Sequence, residues 1–417
     1  MNSYKDNRGE LFFPIKTQQF VPIDCSISKN KKNVFRGLHS NKFSKLISCI
    51  QGSIIDVIVN LDINSNNYLI PQYNKLSASS TDNQIIVPPN YAHGFLTLEE
   101  NTIIIYHFSD IFKADETIYI HYQDPFINIK LPITTEPIMS ENDHIKNFIN
   151  PIDYIVLGSN GYLGNHITTI LKTQGKNVIT LSERLSDLST IKTKLDLYKP
   201  KYVINAGGLT GVPNIDWCDY NKEQTIETNI TYQLTLCHLC KDLNIHLTII
   251  GSGGIFNTPG VKSENDLGDC YDKFYSEARI YLENIVKHYS NVLYLRLNYP
   301  ISSCSHPKNL LTKIINFIKI NDTNLSITCV DTMFPLLSEI IENKEIGIMN
   351  FVNPGEINLI DIKTKYNYKN NVYNNFEKIE NKDRFYPILD TKRIEKYNPC
   401  NINASIDYVI QKYFNTL

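Results

Sequence analysis

The sequence predicts two domains of different class: an all-β jelly-roll barrel, then an α/β unit built on a doubly wound parallel sheet. Three observations carry this. At 417 residues the chain is too long for one ordinary core. Up to about residue 133 it reads as closely spaced short strands, whereas from residue 152 strands alternate with helix-length segments. Between the two rhythms lies a polar stretch containing Pro137 and Pro151. The expected division is therefore a barrel over 1–135, a linker over 136–151 and the α/β unit over 152–417.

In the first half, "KLISCI", "SIIDVIVNL", "QIIVPP", "GFLTL" and "NTIIIYHF" are β-rich runs separated by Gly, Pro, Asn or Asp. Strands so close together, with no helix between them, suit a sandwich or jelly roll. In the second half "DYIVLG" precedes a helix expected near 162–174. "NVITL", "YVINAGG", "LTIIGS" and "VLYLRL" then continue the strand series, each after helix-length sequence. The C-terminal stretch is Asn-rich and less regular, and no internal repeat is visible.

Composition narrows the class. With 42% hydrophobic and 20% charged residues the chain reads as globular, and a formal charge of −2 offers no electrostatic reason for a nucleic-acid or anionic-membrane partner. "MNSYKDNRGE" lacks the apolar core of a signal peptide, and runs such as "TIIIYHF" are far below spanning length, so a cytoplasmic protein without membrane contact is expected. The nine cysteines are odd in number and scattered, as for reduced thiols. Cys237 and Cys240 form a CxxC inside a probable helix, "TYQLTLCHLCKDL", and read as a helix face rather than a metal or redox site.

The strands of the first half gather polar groups. "RGLHSNKFSKLISC" brings Arg36, His39 and Lys45 together, and His93, Tyr106 and Glu116 follow in "YAHGF" and "YHFSDIFKADE". A barrel interior holding two His, a Lys, an Arg and a Tyr is costly without a polar ligand. The bland alternatives are a hydrogen-bonded structural role for His93 and a solvated strand end for Lys45. No metal is expected, because "GLHSN" holds a lone histidine rather than His-x-His.

These motifs, with "DNRGELF", "DP...I.LP" and "SENDH", resemble the dTDP-4-dehydrorhamnose 3,5-epimerases over nearly all of 1–145. The resemblance implies a cupin-like barrel that epimerises carbons beside a sugar 4-ketone. Such chemistry needs a base on one face, an acid on the other and a cation at the enolate oxygen. Carried over, His39 is the base, Tyr106 the acid, Lys45 the cation and Asp143 the carboxylate that orients the histidine. A free imidazole titrates near ~6.5 and a free phenol near ~10, which suits those two roles at neutral pH. Arg8, Arg36, His93 and Glu116 match substrate-contacting positions, and Phe112 stands where the family stacks an aromatic on the nucleotide base. One departure is "DCSIS", which lacks two amides that the family carries before its RGLH segment. Barrels of this family are typically dimers, so a homodimer through the barrel is expected.

In the second half "VLGSNGYLG" puts Gly158, Gly161 and Gly164 after a strand and before a helix, a Rossmann-type dinucleotide loop. After the next strand, Glu183 could bond a 2′-hydroxyl and so favour NADH, while Arg184 could clamp a 2′-phosphate and so favour NADPH. "NAGGLTGVPNIDWCDYNKEQTIETN", "GSGGIF" and "NFVNPGEINLIDI" resemble the reductase domain of plant-type nucleotide-rhamnose synthases and, more broadly, dTDP-4-dehydrorhamnose reductases, over about 152–415. The resemblance implies an extended short-chain dehydrogenase/reductase fold and favours NADPH. It assigns Ser252 to polarising the ketone, Tyr275 to donating the proton, Asn229 to supporting the cofactor loop and Asn353 to a substrate-side turn. Trp217 reads equally as substrate-side or core packing.

Two departures matter. Plant-type enzymes carry a Cys used in epimerisation where this chain has Gly254, although their paired Lys is retained as Lys313. The family's Tyr-x-x-x-Lys ends here in Arg279, which keeps the charge but changes the geometry. From the motif alone, Arg279→Lys is expected to retain or raise reduction.

The leading expectation is a bifunctional enzyme acting on a UDP- or dTDP-linked 4-keto-6-deoxyhexose. The barrel epimerises, and the α/β unit reduces C4 with NADPH (NADH possible). The alternatives are the same chemistry on a 2-acetamido sugar, a non-catalytic NADP-binding regulator, or an epimerase only.

Overall fold

The computed structural model describes the chain except residues 1, 7–8, 14–19, 63–64, 146, 150–151, 213, 373–374, 381–385 and 415–417. Arg8 therefore lies outside the described residues. The chain divides into two units, Met1–Pro151 and Ile152–Leu417.

The first unit opens with a hairpin, β1 (Asn2–Asp6) and β2 (Gly9–Phe13), whose strands pair with each other. Nine further strands follow: β3 (Asp24–Asn30), β4 (Phe35–Ser40), β5 (Lys45–Gln51), β6 (Ser53–Asn60), β7 (Pro71–Ser77), β8 (Gln84–Val87), β9 (Tyr91–Thr97), β10 (Thr102–Phe108) and β11 (Ile118–Tyr119). They form two antiparallel sheets, β3-β10-β5-β8 and β11-β4-β9-β6-β7, the expected jelly roll.

The five-stranded sheet is buried on both faces, and β6 shows why its sequence is nearly continuously apolar. Ile54 and Ile58 pack with Phe95 of the neighbouring β9 and with Ile47 and Ile104 from the other sheet. Val57 and Val59 turn to a second cluster with Phe35, Leu38, Ile120 and Ile127, covered by Met139 and Ile149. Each such side chain removed from water stabilises the fold by ~1.5–3 kcal/mol.

That outer cluster corrects the expected linker. Residues 136–151 are a part of the first unit: Ile138 bridges to Val34, and Ile149 N–H donates to Asp124 at 2.6 Å. The stretch reads as polar because its few apolar residues are spread out, yet two of them, Met139 and Ile149, help to close the sheet's outer face. Within it a single turn, α1 (Glu141–His144), is capped by Ser140, whose Oγ accepts from Asp143 N–H at 3.2 Å.

The second unit is a six-stranded parallel sheet. It opens with β12 (Tyr154–Leu157), α2 (Tyr162–Thr173), β13 (Val178–Leu181), α3 (Leu188–Tyr198), β14 (Tyr202–Asn205) and β15 (His246–Ile250). Strands Val292–Arg296 and Gly347–Asn350 complete the order β13-β12-β14-β15-(292–296)-(347–350). Because β12 lies between β13 and β14, successive connections leave it in opposite directions and open a crevice at the carboxyl ends of the strands. The less regular C-terminal sequence builds a separate lobe core from Leu311, Ile314, Ile360, Ile406 and Val409.

Candidate active sites

In the barrel, neighbouring strands bring the predicted residues together. His39 on β4 sits directly opposite His93 on β9, and Tyr106 on β10 lies between Ser26 of β3 and Ile47 of β5. His39 Nε2 donates to Asp143 Oδ1 at 2.6 Å, and Ser140 Oγ donates to Asp143 Oδ2 at 2.9 Å. The carboxylate is thus held by both oxygens, and it leaves His39 Nδ1 as the ring nitrogen able to take a proton. The His39 side chain is 30% exposed and Asp143 only 4%, so the carboxylate is buried and the imidazole accessible.

Lys45 is buried, with its Nζ 3.4 Å from the His39 carbonyl oxygen. Burial lowers its pKa to about 8, so the ammonium is retained at neutral pH. Tyr106 is pushed up to about 12, mainly by burial, with Arg36, Asp56 and Asp143 as the charges that act on it. It stays a proton donor.

Several partners were not visible in sequence. His93 Nε2 donates to Asp56 Oδ2 at 2.5 Å, a second buried His–Asp pair, and Asp56 Oδ1 has no partner. This is the hydrogen-bonded role left open for His93 from sequence, and it holds the ring in one orientation. The run Tyr106–Ser28–Asn30–Arg36 is joined by contacts of 3.3, 3.0 and 2.7 Å. Ser28 belongs to the divergent "DCSIS", so a serine and Asn30 supply polar contacts on β3. Asp143 is marked by the "SENDH" motif, whereas Asp56 is hidden in an apolar run.

Phe112 is exposed and stacks on Phe108 with centroids 5.4 Å apart. Glu116 is exposed and pairs with the equally exposed Lys113 at 2.8 Å, so the structure leaves it at the surface with its charge already answered.

In the second unit the glycine loop has the geometry a dinucleotide needs. Gly158 has φ +70°, which favours glycine, and a Cβ at Gly164 would lie 2.2 Å from the Gly158 carbonyl oxygen. Gly161 is the N-cap of α2. Beside the loop lies a cavity of about 910 Å³, lined among others by Gly158, Ser252, Gly254, Tyr275, Arg279 and Lys313. Asn229 is buried and clamps Leu209 through both its N–H and its carbonyl at 2.8 Å, holding the 207–211 loop at the cavity wall.

Ser252 Oγ accepts from Gly254 N–H at 3.1 Å, and Ser276 Oγ donates to the Gly254 carbonyl at 2.9 Å. A Cβ on Gly254 would meet only Ser252 Oγ, at 3.4 Å, so its lack of a side chain leaves open space in the cavity. Arg279 is buried, with its guanidinium 5.3 Å over the Tyr275 ring, and its Nε and Nη1 have no hydrogen-bond partner. Unpaired donors this deep in a glycine-lined cavity fit a polar ligand such as a dinucleotide.

Asn353 is a correction. It is fully buried, accepts from Cys329 N–H at 2.7 Å and donates to Cys400 O and Ser405 Oγ, so it brackets the C-terminal lobe rather than facing substrate. Glu183 is ion-paired to Lys194, while Arg184 is exposed. Cys237 and Cys240 are buried in a helix, and burial raises both thiols, Cys237 to about 12. Among the described residues no His, Cys, Asp or Glu cluster is placed to hold a metal ion, and no helix is long and apolar enough to cross a membrane.

A barrel carrying an acid–base set, joined to a parallel sheet with a dinucleotide loop and a Tyr–Arg pair, defines an isomerase–oxidoreductase. Residues 1–150 match the dTDP-4-dehydrorhamnose 3,5-epimerase family, and residues 154–329 match the NAD dependent epimerase/dehydratase family. A bifunctional dTDP-4-dehydrorhamnose 3,5-epimerase/dTDP-4-dehydrorhamnose reductase of Arabidopsis thaliana is 34% identical over 224 residues, 51% of this chain and 74% of that protein. A dTDP-4-dehydrorhamnose 3,5-epimerase of Salmonella typhimurium is 30% identical over 34% of this chain and 82% of that one. The crystal structure of the L780 UDP-rhamnose synthase from Acanthamoeba polyphaga mimivirus superposes with a TM-score of 0.60 at 25% identity, over 63% of this chain and 100% of that chain. The chain belongs to the family of bifunctional dTDP-4-dehydrorhamnose 3,5-epimerase/reductases.

Proposed function

We propose that the two units divide one reaction sequence on a nucleotide-linked 4-keto-6-deoxyhexose, the barrel epimerising C3 and C5 and the second unit reducing C4 to a rhamnose-type sugar. The observation that carries this is a complete acid–base set in the barrel beside a reductase cavity in which Gly254 offers neither acid nor base.

In the barrel, His39 Nδ1 takes the proton from the carbon beside the ketone, and the electron pair moves onto the ketone oxygen as an enolate. The Lys45 ammonium stabilises that oxygen, and the Tyr106 hydroxyl returns a proton from the opposite face. His93 and Arg36 bind the sugar nucleotide, with Phe112 against its base.

In the second unit, Gly158, Gly161, Gly164 and Arg279 hold the dinucleotide, which when bound supplies a hydride. Ser252 donates a hydrogen bond to the C4 oxygen and Tyr275 gives it a proton, while the Arg279 charge favours the tyrosinate left behind. With Glu183 occupied by Lys194 and Arg184 free to meet a phosphate, the cofactor is NADPH.

The test is incubation with a nucleotide 4-keto-6-deoxyglucose in D₂O, with and without NADPH. Deuterium at C3 and C5 without NADPH, then a reduced L-sugar with it, is the expected result. Exchange without NADPH consumption leaves an epimerase only; tight NADP binding with neither reaction indicates a regulator. His39→Ala should abolish exchange and spare cofactor binding, and surviving exchange would remove the barrel assignment.

A further inference from the structure

The helix Phe274–Val286 and the strand Val292–Arg296 present polar side chains to one another. Tyr275, Arg279 and Glu283 recur every fourth residue and share a helix face, while Tyr294 and Arg296, two apart, share a strand face. The rung at Arg296 is closed. Its Nε donates to Glu283 at 2.9 Å, Nη2 also engages Glu283, and the remaining donors reach the Ser263 and Asp266 carbonyls at 2.8 and 2.9 Å.

The neighbouring rung is open. Arg279 is 3% exposed and lies beside both Tyr275 and Tyr294. Yet its Nε and Nη1, and the fully buried Tyr294 hydroxyl, have no hydrogen-bond partner. Glu283 cannot serve them, because both its oxygens belong to Arg296. Two glycines make the room: a Cβ at Gly208 would lie 2.6 Å from Arg279 Nη2, and one at Gly251 would lie 2.2 Å from the Tyr294 ring. Gly208, Gly251 and Arg279 all line the cavity that holds Tyr275.

We propose that Tyr294 is a positioning residue for the reduction, its buried hydroxyl dipole drawing the neighbouring Arg279 guanidinium electrostatically so that the two free donors meet the dinucleotide beside Tyr275. This rests on the reductase reading of that cavity. A guanidinium is longer and flatter than an ammonium, and Tyr294 with Gly208 and Gly251 is the surrounding that accepts it. The expectation drawn from the motif therefore reverses: Arg279→Lys lowers reduction, because the shorter ammonium leaves the Tyr294 side without its cation.

Tyr294→Phe in the full-length protein keeps the packing and removes only the hydroxyl. The expected result is a kcat for reduction down about tenfold, the equivalent of one pKa unit of lost charge placement. The KM for the keto sugar and the melting temperature stay unchanged, and NADP⁺ binding measured by calorimetry without sugar weakens. A purely structural tyrosine would move the melting temperature and not this split. Wild-type kcat and wild-type NADP⁺ affinity in Tyr294→Phe, or full reduction by Arg279→Lys, would overturn the proposal. Failure of the reductase reading is separately visible as wild-type protein that neither reduces the sugar nor binds NADP⁺.

Discussion

Lys45 carries its charge at the cost of burial, which lowers its pKa to about 8 and puts a limit on the epimerase. If Lys45 is the proposed cation at the enolate, deuterium exchange should fall as pH rises through about 8, and Lys45→Met should lower exchange throughout and remove that limb. A pH–rate profile of exchange checks both. Asp143 acts through His39, with its other oxygen held by Ser140. Asp143→Asn should cut exchange by roughly 10²-fold, the scale of a general base that has lost its orientation, with NADPH binding intact. At Gly254 the structure has room for a thiol. Gly254→Cys should therefore fold with an unchanged melting temperature and still reduce the sugar, and a steady-state reductase assay decides it.

Among the elements, α2 and its glycine turn make the second site possible. A methyl at Gly164 would sit 2.2 Å from a backbone oxygen that cannot retreat, because it closes the turn. Gly164→Ala should cost about 1–3 kcal/mol through overpacking and weaken NADP⁺ binding, while exchange by the barrel persists. Calorimetric cofactor titration beside the D₂O assay separates the two. The glycine spacing between a strand and a helix was enough to place this element from sequence. By contrast, α1 is a single turn in a polar stretch, and nothing periodic announces it. Its place on the outer face of the β4-β9-β6 sheet follows from the backbone bridge of Ile138 to Val34 and from Met139 and Ile149, isolated apolar residues whose partners lie far away in the chain.

At the level of the whole molecule, the two units have separate cores, and the proposed function assigns them separate chemistry. A fragment ending at residue 151 should catalyse exchange, whereas one ending at 135 should not, because it lacks Asp143 and the cover over Ile120 and Ile127. The comparison reads directly on the boundary. The fold class with its two domains was legible in sequence, since strand spacing and the glycine loop are local patterns, and short motifs such as "RGLH" were enough to nominate candidate site residues. Asn353 was misplaced because a conspicuous "NPG" turn looks the same whether its amide faces a ligand or a buried lobe. Glu116 sits in an expected motif, yet its own neighbour Lys113 satisfies it at the surface.

Local order along the chain sufficed for a barrel followed by a parallel sheet, for His39, Lys45 and Tyr106 on barrel strands, and for a tyrosine with an arginine four residues on. These are consequences of period and spacing, which a linear pattern contains. Pairings that no motif announced came from the folded chain: Asp56 against His93, Ser28 and Asn30 beside Tyr106, and Tyr294 facing Arg279. Each depends on which strand lies next to which and on what burial leaves without a partner, and neither quantity exists until the sheets close.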